Sequence, residues 1–322
     1  MITTEDLKFI QVVASHRTLS DVARTLNITP PSVTLRLQHI EKKLSISLIQ
    51  RPSRTVCLTE EGRLLLDRGA SIIRELEELQ HVIDNNKQTV SGKLRVLAPL
   101  GFGNDYVTPL LAEYKKQHPQ LEVELELSDN PTWSHHHKWD IIIYIGKLQD
   151  SSLRMVTLAK NQRFLCASPD YLRQYGEPKN PEDLHQHQCI SLRENNEDVT
   201  LWSLTHKKSK SEQLIRVEPS MASNEGRVVK DWGIAGMGII MRSQWDVQPQ
   251  INCGELTRIM CDYELPSADI IALLNTTEQE RSKRVSGFLA LLKEHLLPAP
   301  WKAQSISAKS LKSKTVEIKK GR

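Results

Sequence analysis

The chain has 322 residues, of which 39% are hydrophobic and 25% charged, and its formal net charge is +4 at pH 7. This length suits two or three ordinary domains, and the apolar fraction can supply their cores. No stretch approaches the roughly 18–20 apolar residues of a membrane span, and the N-terminus lacks the cationic start and apolar core of a signal peptide. The composition predicts a soluble, cytoplasmic globular protein with no membrane partner.

The cysteines argue against both a disulfide framework and a structural zinc site. There are five of them, scattered and without a CxxC pair, so we expect ordinary reduced thiols. Cys189, close to His185 and His187, is the strongest redox-sensor candidate, although an unreactive thiol is favoured.

Two short amphipathic helices are expected at the start of the chain. Residues 4–15 place apolar side chains on one face, with Thr3 or Thr4 available as N-cap. Thr18 resembles the first residue of a capping box, and apolar residues follow Leu19 at helical spacing. The second of these helices is barely two turns long.

A third helix follows after a tight turn. Asn27 suits a left-handed helix stop, Thr29 can cap the next helix, and Pro30 suits its first turn because the missing N–H costs nothing there. This arrangement predicts the trihelical core of a helix-turn-helix, whose third helix could enter the major groove. Similar apolar stripes also occur in other three-helix bundles.

The stretch SLIQRPSRTVCLTEEG, residues 47–62, is typical of a small hairpin wing. Arg51 and Arg54 flank its tip, where arginines can reach phosphates or a narrow minor groove.

Residues 19–62 together resemble the DNA-binding signature of LysR-type transcriptional regulators. The matching positions are Leu26, Ile28, Thr29, Pro31, Ser32, Val33, Thr34, Ile40, Glu41, Leu44, Leu48, Arg51, Arg54, Leu58, Thr59 and Gly62. Three positions depart from the pattern: Ser47 replaces the usual glycine, Ile49 the usual phenylalanine, and Leu35 an often basic or polar residue. An exposed Leu35 could contact a thymine methyl group, which would alter the DNA sequence that is read.

The helix-turn-helix and its wing together predict a double-stranded DNA partner. The expected DNA-contacting residues are Thr18, Ser20, Thr29, Pro30, Pro31, Ser32, Thr34, Leu35, Arg36, Arg51, Ser53 and Arg54.

A long helical pattern without proline runs from Glu60 to about Asn86. Its apolar residues alternate in steps of four and three, as in a coiled-coil seam, if Gly69 fills one position. A single amphipathic helix lying on its own domain remains the alternative. The family resemblance implies dimerisation through this linker helix, as a homodimer or homotetramer. The expected dimerisation residues are Leu65, Ile72, Leu76, Leu79 and Ile83.

Beyond a polar hinge at residues 88–93, the pattern changes to strands alternating with helices. KLRVLAP, LEVELELS, DIIIYIG, RFLCASP, LIRVEPSM and GMGIIM read as strands, and residues 105–117, 224–235 and 278–296 as helices. This alternation predicts an α/β domain built on parallel sheets.

The resemblance extends to about residue 297 through SGKLRVLAP, PLLAEYKKQHPQLEVELELSD, SSLRMVTLAKNQRFLCASPDYL and GIAGMGIIM. It implies an α/β chain with an N-terminal all-α winged helix-turn-helix, a long linker helix and a C-terminal two-lobed periplasmic-binding-protein-like domain. The expected divisions are residues 1–62 for DNA binding, 63–88 for the linker, 89–300 for the effector domain and 301–322 for a basic, disordered tail. Lobe I would span about 93–163 and 268–297, and lobe II about 164–267.

A small-molecule effector is expected between the lobes. The loop at 98–103 and the pair Ser223–Asn224 each precede a helix, and two converging helix N-termini favour an anion such as a small carboxylate. Tyr144 replaces a commonly basic residue, which counts against a carboxylate. The expected effector-binding residues are Pro99, Leu100, Gly101, Phe102, Gly103, Ser128, Tyr144, Gly146, Ser223 and Asn224.

Other features favour a regulator over an enzyme. The sequence has no catalytic motif and no nucleotide-binding fingerprint, so we expect no catalytic residue, metal or cofactor. The run His135–His136–His137 is read as a solvated loop, because adjacent histidines point in different directions and lack further ligands. An enzyme with an appended DNA-binding module remains the alternative, and RNA polymerase is a further candidate partner.

Overall fold

The computed structural model describes residues 1–50, 55–84, 90–129, 138–146, 153–193, 199–278 and 281–303, except the side chains of 77, 78 and 80–84. The described residues form two compact units, one built on those up to 84 and one on those from 90 to 129 and from 139 onward. Within this part of the chain, no helix has the length and apolar character needed to cross a membrane.

The N-terminal unit has helices where local capping chemistry predicts them. They are α1 Thr4–Ala14, α2 Leu19–Thr25, α3 Pro30–Leu44 and α4 Glu60–Asp84. The first three are capped by Thr3, Thr18 and Thr29, and Asn27 takes the left-handed conformation with φ of 53°. Each threonine oxygen accepts a backbone N–H that would otherwise lack a partner, which fixes where the helix begins.

The core of the N-terminal unit lies between α1, α2 and α3, with Val13, Val33, Leu37 and Ile40 fully buried. Ile49, which replaces the usual phenylalanine, is buried in the same core. It also forms an antiparallel bridge with Leu58, as a hairpin wing requires. The wing tip, residues 51–54, lies outside the described residues.

Helix α4 packs closely along α1 through glycine. A Cβ on Gly69 would lie 2.9 Å from Leu7 Cδ2, so the absent side chain permits this approach. At the start of α4, a Cβ on Gly62 would lie 2.2 Å from the backbone oxygen of Leu48, which cannot move aside. These contacts tie the first turns of the helix to its own domain.

The C-terminal unit contains the predicted α/β pattern. Its strands are β1 Gly92–Ala98, β2 Leu121–Leu127, β3 Ile141–Ile145, β4 Arg154–Ala159, β5 Arg163–Ala167, β6 Cys189–Leu192, β7 Leu201–His206, β8 Glu212–Arg216, β9 Pro219–Ser223, β10 Ile239–Ser243, β11 Thr257–Ile259, β12 Tyr263–Glu264 and β13 Ile270–Leu274. Its α-helices are α5 Leu100–Phe102, α6 Thr108–Gln117, α7 Pro169–Tyr175, α8 Gly226–Ile234, α9 Gln244–Cys253, α10 Lys283–Leu296 and α11 Pro300–Ala303. A π-helical turn, Gly103–Val107, joins α5 to α6, and a 3₁₀ helix spans Pro181–Gln186.

The strands form two five-stranded sheets, ordered β2-β1-β3-β13-β4 and β11-β5-β10-β6-β9, and a small sheet β12-β7-β8. The expectation of parallel sheets was only partly right. Strands β1, β2 and β3 are parallel, whereas β13 is antiparallel to both β3 and β4, and β10 is antiparallel to β5. The sheets are mixed because the chain crosses between the lobes and re-enters each sheet from the opposite end.

Two segments connect the lobes, residues 160–162 between β4 and β5 and residues 265–269 between β12 and β13. The buried Asn161 holds them together, because its amide nitrogen donates to Ala268 O at 2.9 Å and to Ser243 Oγ at 3.2 Å. These two segments are called the hinge, because they connect the two lobes.

The end of the described chain differs from the expectation of a disordered tail from residue 301. Trp301 in α11 is 2% exposed and packs in the lobe I core, 5.5 Å from the ring of Tyr106. Burial of the large indole removes much apolar surface from water, which favours an ordered position for this residue. Residues 304–322 lie outside the described residues.

Candidate functional site

The N-terminal half of α3 presents an exposed polar face. Pro30, Pro31 and Ser32 are exposed, and the Ser32 hydroxyl lies 2.8 Å from Thr29 Oγ1. Thr34 Oγ1 donates to Pro30 O at 3.2 Å. In a helix-turn-helix, these positions meet base edges.

Leu35 lies on the same helix and is 72% exposed. It makes no part of the buried core. Covering this exposed leucine with a partner would remove apolar surface from water. An apolar side chain also suits the methyl group of thymine.

Helix α2 contributes Thr18 and Ser20, of which Ser20 is exposed. Thr18 Oγ1 donates to Asp21 Oδ2 at 2.7 Å and accepts the Asp21 N–H at 3.2 Å. This side-chain hydrogen bond lowers the pKa of Asp21, so the carboxylate stays ionised and the cap stays formed. The role of Thr18 in the described structure is therefore to start the helix.

Arg36 has a different environment from the one expected for a DNA contact. Its Nη2 donates to Glu5 O at 3.0 Å, and its guanidinium lies 4.6 Å from the centre of the Phe9 ring. These contacts join α3 to α1, which the sequence spacing could not show. Arg51, Ser53 and Arg54 lie outside the described residues and remain predictions.

The linker helix exposes an apolar stripe beyond its contact with α1. Ile72, Leu76 and Leu79 are 47%, 40% and 54% exposed, and all three belong to the expected seam. Leu65 is a correction to that seam, because it packs partly buried against the core of its own unit. The Ile83 side chain lies outside the description.

A cavity of about 50 Å³ lies between the two lobes of the C-terminal unit. Five expected effector-binding residues line it: Pro99, Gly101, Phe102, Ser128 and Tyr144. Leu100, Gly103, Gly146, Ser223 and Asn224 are not among its described lining residues. The cavity therefore joins the two lobes as expected, but with a different set of contacts.

The helix N-termini are less available to a ligand than the sequence suggested. The Leu100 N–H donates to Asp129 Oδ1 at 2.8 Å. Helix α8 begins at Gly226 rather than Asn224, and the Glu225 carboxylate accepts the N–H groups of Arg227 at 3.1 Å and Val228 at 2.9 Å. Carboxylates of the chain itself cap both helices.

Arginines supply the positive charge of the cavity, a feature that the sequence analysis missed. Arg163, Arg227 and Arg242 line it together with Asp129 and Asp246. Their positions in β5, α8 and β10 are spread along the chain, so no local motif marks them.

Asp246 is buried between two cations. Its Oδ2 lies 2.7 Å from Arg242 Nη2, and its Oδ1 lies 2.7 Å from Lys230 Nζ. Burial raises the pKa of Asp246, but the two ion pairs outweigh it and hold the pKa below its usual value. The carboxylate therefore remains charged at neutral pH.

A third ion pair joins the lobes, with Arg227 Nη2 in α8 and Asp105 Oδ1 in the π-helical turn Gly103–Val107 separated by 2.6 Å. Both side chains are nearly half exposed, so solvent weakens the pair and a ligand can compete for the guanidinium. Among the three arginines of the cavity, Arg227 can therefore most readily exchange Asp105 for an anionic group of a ligand.

Arg163, the third arginine of the cavity, lies on the same side as Tyr144. A Cβ on Gly146 would lie 3.9 Å from Tyr144 Oη and 4.0 Å from Arg163 Nη2. The phenol and the guanidinium therefore both lie beside Gly146, whose φ of 131° favours glycine. Arg163 restores the positive charge that Tyr144 lacks.

Aromatic rings form the apolar wall. Trp245 lies edge-on to Phe102 at 5.4 Å and to Tyr106 at 6.0 Å, and burial raises the pKa of Tyr106 to about 12. A Cβ on Gly101 would lie 3.1 Å from Trp245 Cη2. The wall suits the carbon skeleton of a small molecule, and the arginines suit its charged group.

The structure also bears on the redox and metal candidates of the sequence. Burial raises the pKa of Cys189 to about 12, which disfavours the reactive thiolate and corrects its candidacy as a redox sensor. Among the described residues, no group of three or more His, Cys, Asp or Glu could hold a metal ion. The histidine run at 135–137 lies outside them.

The comparisons with known proteins agree with this architecture. Residues 4–63 match the family described as bacterial regulatory helix-turn-helix protein, lysR family, and residues 87–297 match the LysR substrate binding domain. The HTH-type transcriptional activator TtdR of Escherichia coli (strain UTI89 / UPEC) is 31% identical over 84% of this chain and 86% of its own. The regulator DmlR of E. coli K12 is 31% identical over 81% and 85%.

Solved structures share the fold. Full-length AphB, a Vibrio cholerae virulence activator, has a TM-score of 0.61 at 23% identity, covering 90% of this chain and 98% of its own. CrgA of Neisseria meningitidis has a TM-score of 0.56 at 22% identity, covering 91% and 99%. The chain belongs to the LysR-type transcriptional regulators, with an N-terminal DNA-binding helix-turn-helix and a C-terminal effector-binding domain.

Proposed function

We propose that this regulator binds a pseudo-palindromic DNA site as a cytoplasmic homodimer or homotetramer, and that a small carboxylate in the cleft changes this binding without being turned over. The division into residues 1–62, 63–88 and 89–300 assigns DNA contact, dimerisation and sensing to separate segments. RNA polymerase is the partner through which a bound regulator would act on transcription.

The carboxylate assignment depends on one observation, the three arginines that line the cleft beside an aromatic wall. Guanidinium groups bind carboxylates through two parallel hydrogen bonds, which fix orientation as well as charge. Asp129 and Glu225 already accept N–H groups at the two helix N-termini, so the assignment is not based on those termini. Arg227, whose partner Asp105 is solvent-accessible, is the proposed main contact.

A screen of small mono- and dicarboxylates against their neutral amides tests this assignment. Carboxylates should raise the melting temperature of the full-length protein and alter its DNA affinity, whereas the matched amides should not. Arg227→Gln should weaken the effect, and Arg173→Gln, an exposed arginine of α7, should leave it unchanged. Equal binding of acids and amides would contradict the carboxylate, and chemical conversion of the bound compound would favour the enzyme alternative.

DNA binding is tested by footprinting upstream of the regulator's own gene across a salt series. Two recognition helices and two wings should protect a pseudo-palindrome with half-sites about one helical turn apart, and the affinity should fall steeply with salt because phosphate contacts release counterions. Absence of protection at low salt would contradict the proposal at that DNA.

The oligomer is tested through the apolar stripe of α4. Leu79→Glu should lower the dimer affinity, because it places a charge in the proposed seam. Leu64→Glu is the matched control, since Leu64 is 61% exposed on the same helix but outside the seam spacing. Sedimentation of both variants decides the question, and equal effects would argue against the seam.

A further inference from the structure

A second cavity lies on the hinge of the C-terminal unit, formed by both segments that connect the lobes. Lys160 and Arg163 line it from the first segment and the start of β5, and Ser267 and Asp269 line it from the second. It has a volume of about 520 Å³ and is open to solvent. A ligand bound there would contact both connections at once.

The lining of this hinge cavity is rich in cations. Five of its residues are basic and two are acidic: Lys160, Arg163, Lys207, Arg258 and Lys302 against Glu264 and Asp269. The two carboxylates are themselves close to lysines, because Asp269 Oδ2 lies 2.6 Å from Lys160 Nζ and Glu264 Oε2 lies 4.0 Å from Lys210 Nζ. The lining therefore has three more basic than acidic side chains.

The cations come from segments that are far apart in the chain. Lys207 follows β7, and its Nζ donates to Cys261 O at 2.6 Å. Arg258 in β11 lies over the Phe164 ring at 3.8 Å, so its guanidinium plane is held by stacking. A concave surface that gathers like charges concentrates the field and attracts a counter-ion of several charges.

Arg163 lines the hinge cavity and the effector cleft alike. The Lys160–Asp269 ion pair joins the two connecting segments, and Asp269 Oδ1 also accepts the Asn161 N–H at 3.3 Å. An anion that recruits Lys160 and Arg163 would therefore act on the hinge and on one wall of the cleft.

We propose that the hinge cavity is a second ligand site, for a small polyvalent anion such as an oligophosphate or a polycarboxylate. Paired guanidinium groups and ammonium groups bind both kinds of oxyanion. The site shares Arg163 with the effector cleft, but Lys160, Lys207, Arg258 and Lys302 line the hinge cavity alone. The proposal does not depend on the effector being a carboxylate.

Calorimetric titration of the full-length protein with pyrophosphate, and separately with citrate, at constant ionic strength tests the site. Saturable binding of either anion is expected, and the stronger of the two identifies the kind of oxyanion. Absence of saturable binding by both would overturn the proposal.

Two charge-matched variants locate the binding. Lys207→Glu should weaken it about tenfold, since it changes the charge at the cavity by two units. Lys208→Glu, at the neighbouring exposed lysine outside the lining, makes the same change in net charge and should leave binding unaltered. Equal losses in both variants would show non-specific attraction and overturn the site.

A third variant separates the two cavities. Arg227 lines the cleft but not the hinge cavity, so Arg227→Gln should bind the stronger anion with unchanged affinity. Loss of binding in this variant would place the anion in the effector cleft and contradict the hinge site. The carboxylate screen at the cleft can fail without affecting any of these results.

Discussion

The exposed face of α3 and the walls of the effector cleft differ in where their functional groups are directed. On α3, Ser32 and Leu35 face solvent, and the core of the unit lies on the opposite side. In the cleft, Asp246 is enclosed by two cations and Arg227 already has a carboxylate partner. DNA can be read by a surface that contributes little to folding, whereas the effector must enter a network that also stabilises the lobes.

Removing Asp246 should give the largest effect. Asp246→Ala leaves the nearly buried Arg242 without its carboxylate, and breaking a buried pair in this way costs about 3–5 kcal/mol of unfolding free energy. Chemical denaturation measures the loss. A loss under about 1 kcal/mol would mean that the cleft network behaves like a surface ion pair and would remove the contrast with α3.

Gly62→Ala should have the next largest effect, on the N-terminal unit. Its Cβ would meet the backbone oxygen of Leu48 at 2.2 Å, and overpacking costs about 1–3 kcal/mol. Gly69→Ala should cost less, because its Cβ meets the movable end of the Leu7 side chain. Thermal unfolding of both variants tests this order, and the reverse order would show that the α4 start can shift.

Leu35→Ala should reduce DNA affinity without loss of stability. Lost contact with a thymine methyl would lower specific affinity by about 1 kcal/mol, at the low end for a base contact, and leave the salt dependence unchanged since no phosphate contact is lost. Leu64→Ala is the control, an exposed leucine on α4. If the unfolding free energy of Leu35→Ala falls instead, α3 would not be the independent surface described above.

Acid should produce the most gradual effect, again in the cleft. Because the folded-state pKa of Asp246 is lowered from 3.8, its contribution to stability is present above that value and is lost as pH falls through the folded pKa. The free energy of unfolding should therefore decline below about pH 4. Asp246→Asn should show a flatter decline over the same range, and an unchanged slope would exclude Asp246 as the cause.

The helices of the N-terminal unit could be predicted from the sequence because their caps depend on local interactions. Thr3, Thr18 and Thr29 bond to backbone groups within three residues, so the sequence spacing is nearly the whole structure of each cap. The prolines at the start of α3 are also local signals, because the first turn of a helix needs no N–H partner there. The elements of the C-terminal unit were partly predicted, but the LIRVEPSM stretch is divided between β8 and β9, and the small sheet with β7 and β12 was missed.

The effector-binding residues were harder to predict because their partners are distant. Glycines and helix starts suggested open N–H groups, yet Asp129 lies 29 positions from Leu100 and closes one of them. Arg36 likewise pairs with a carbonyl 31 positions away. Sequence spacing cannot predict such long-range pairs. Each of the two hydrogen bonds changes the role expected for a residue.

The sequence by itself determined the family, the helix boundaries of the DNA-binding unit and the two-lobed α/β pattern, because caps, apolar periodicity and strand runs are short-range features. Only the tertiary structure decided the electrostatics of the cleft and the hinge. Asp105 and Arg227 are 122 positions apart, and Lys160 and Asp269 are 109 apart. Packing of the lobes brings these charges together. The distances between the charged atoms then decide which groups form ion pairs.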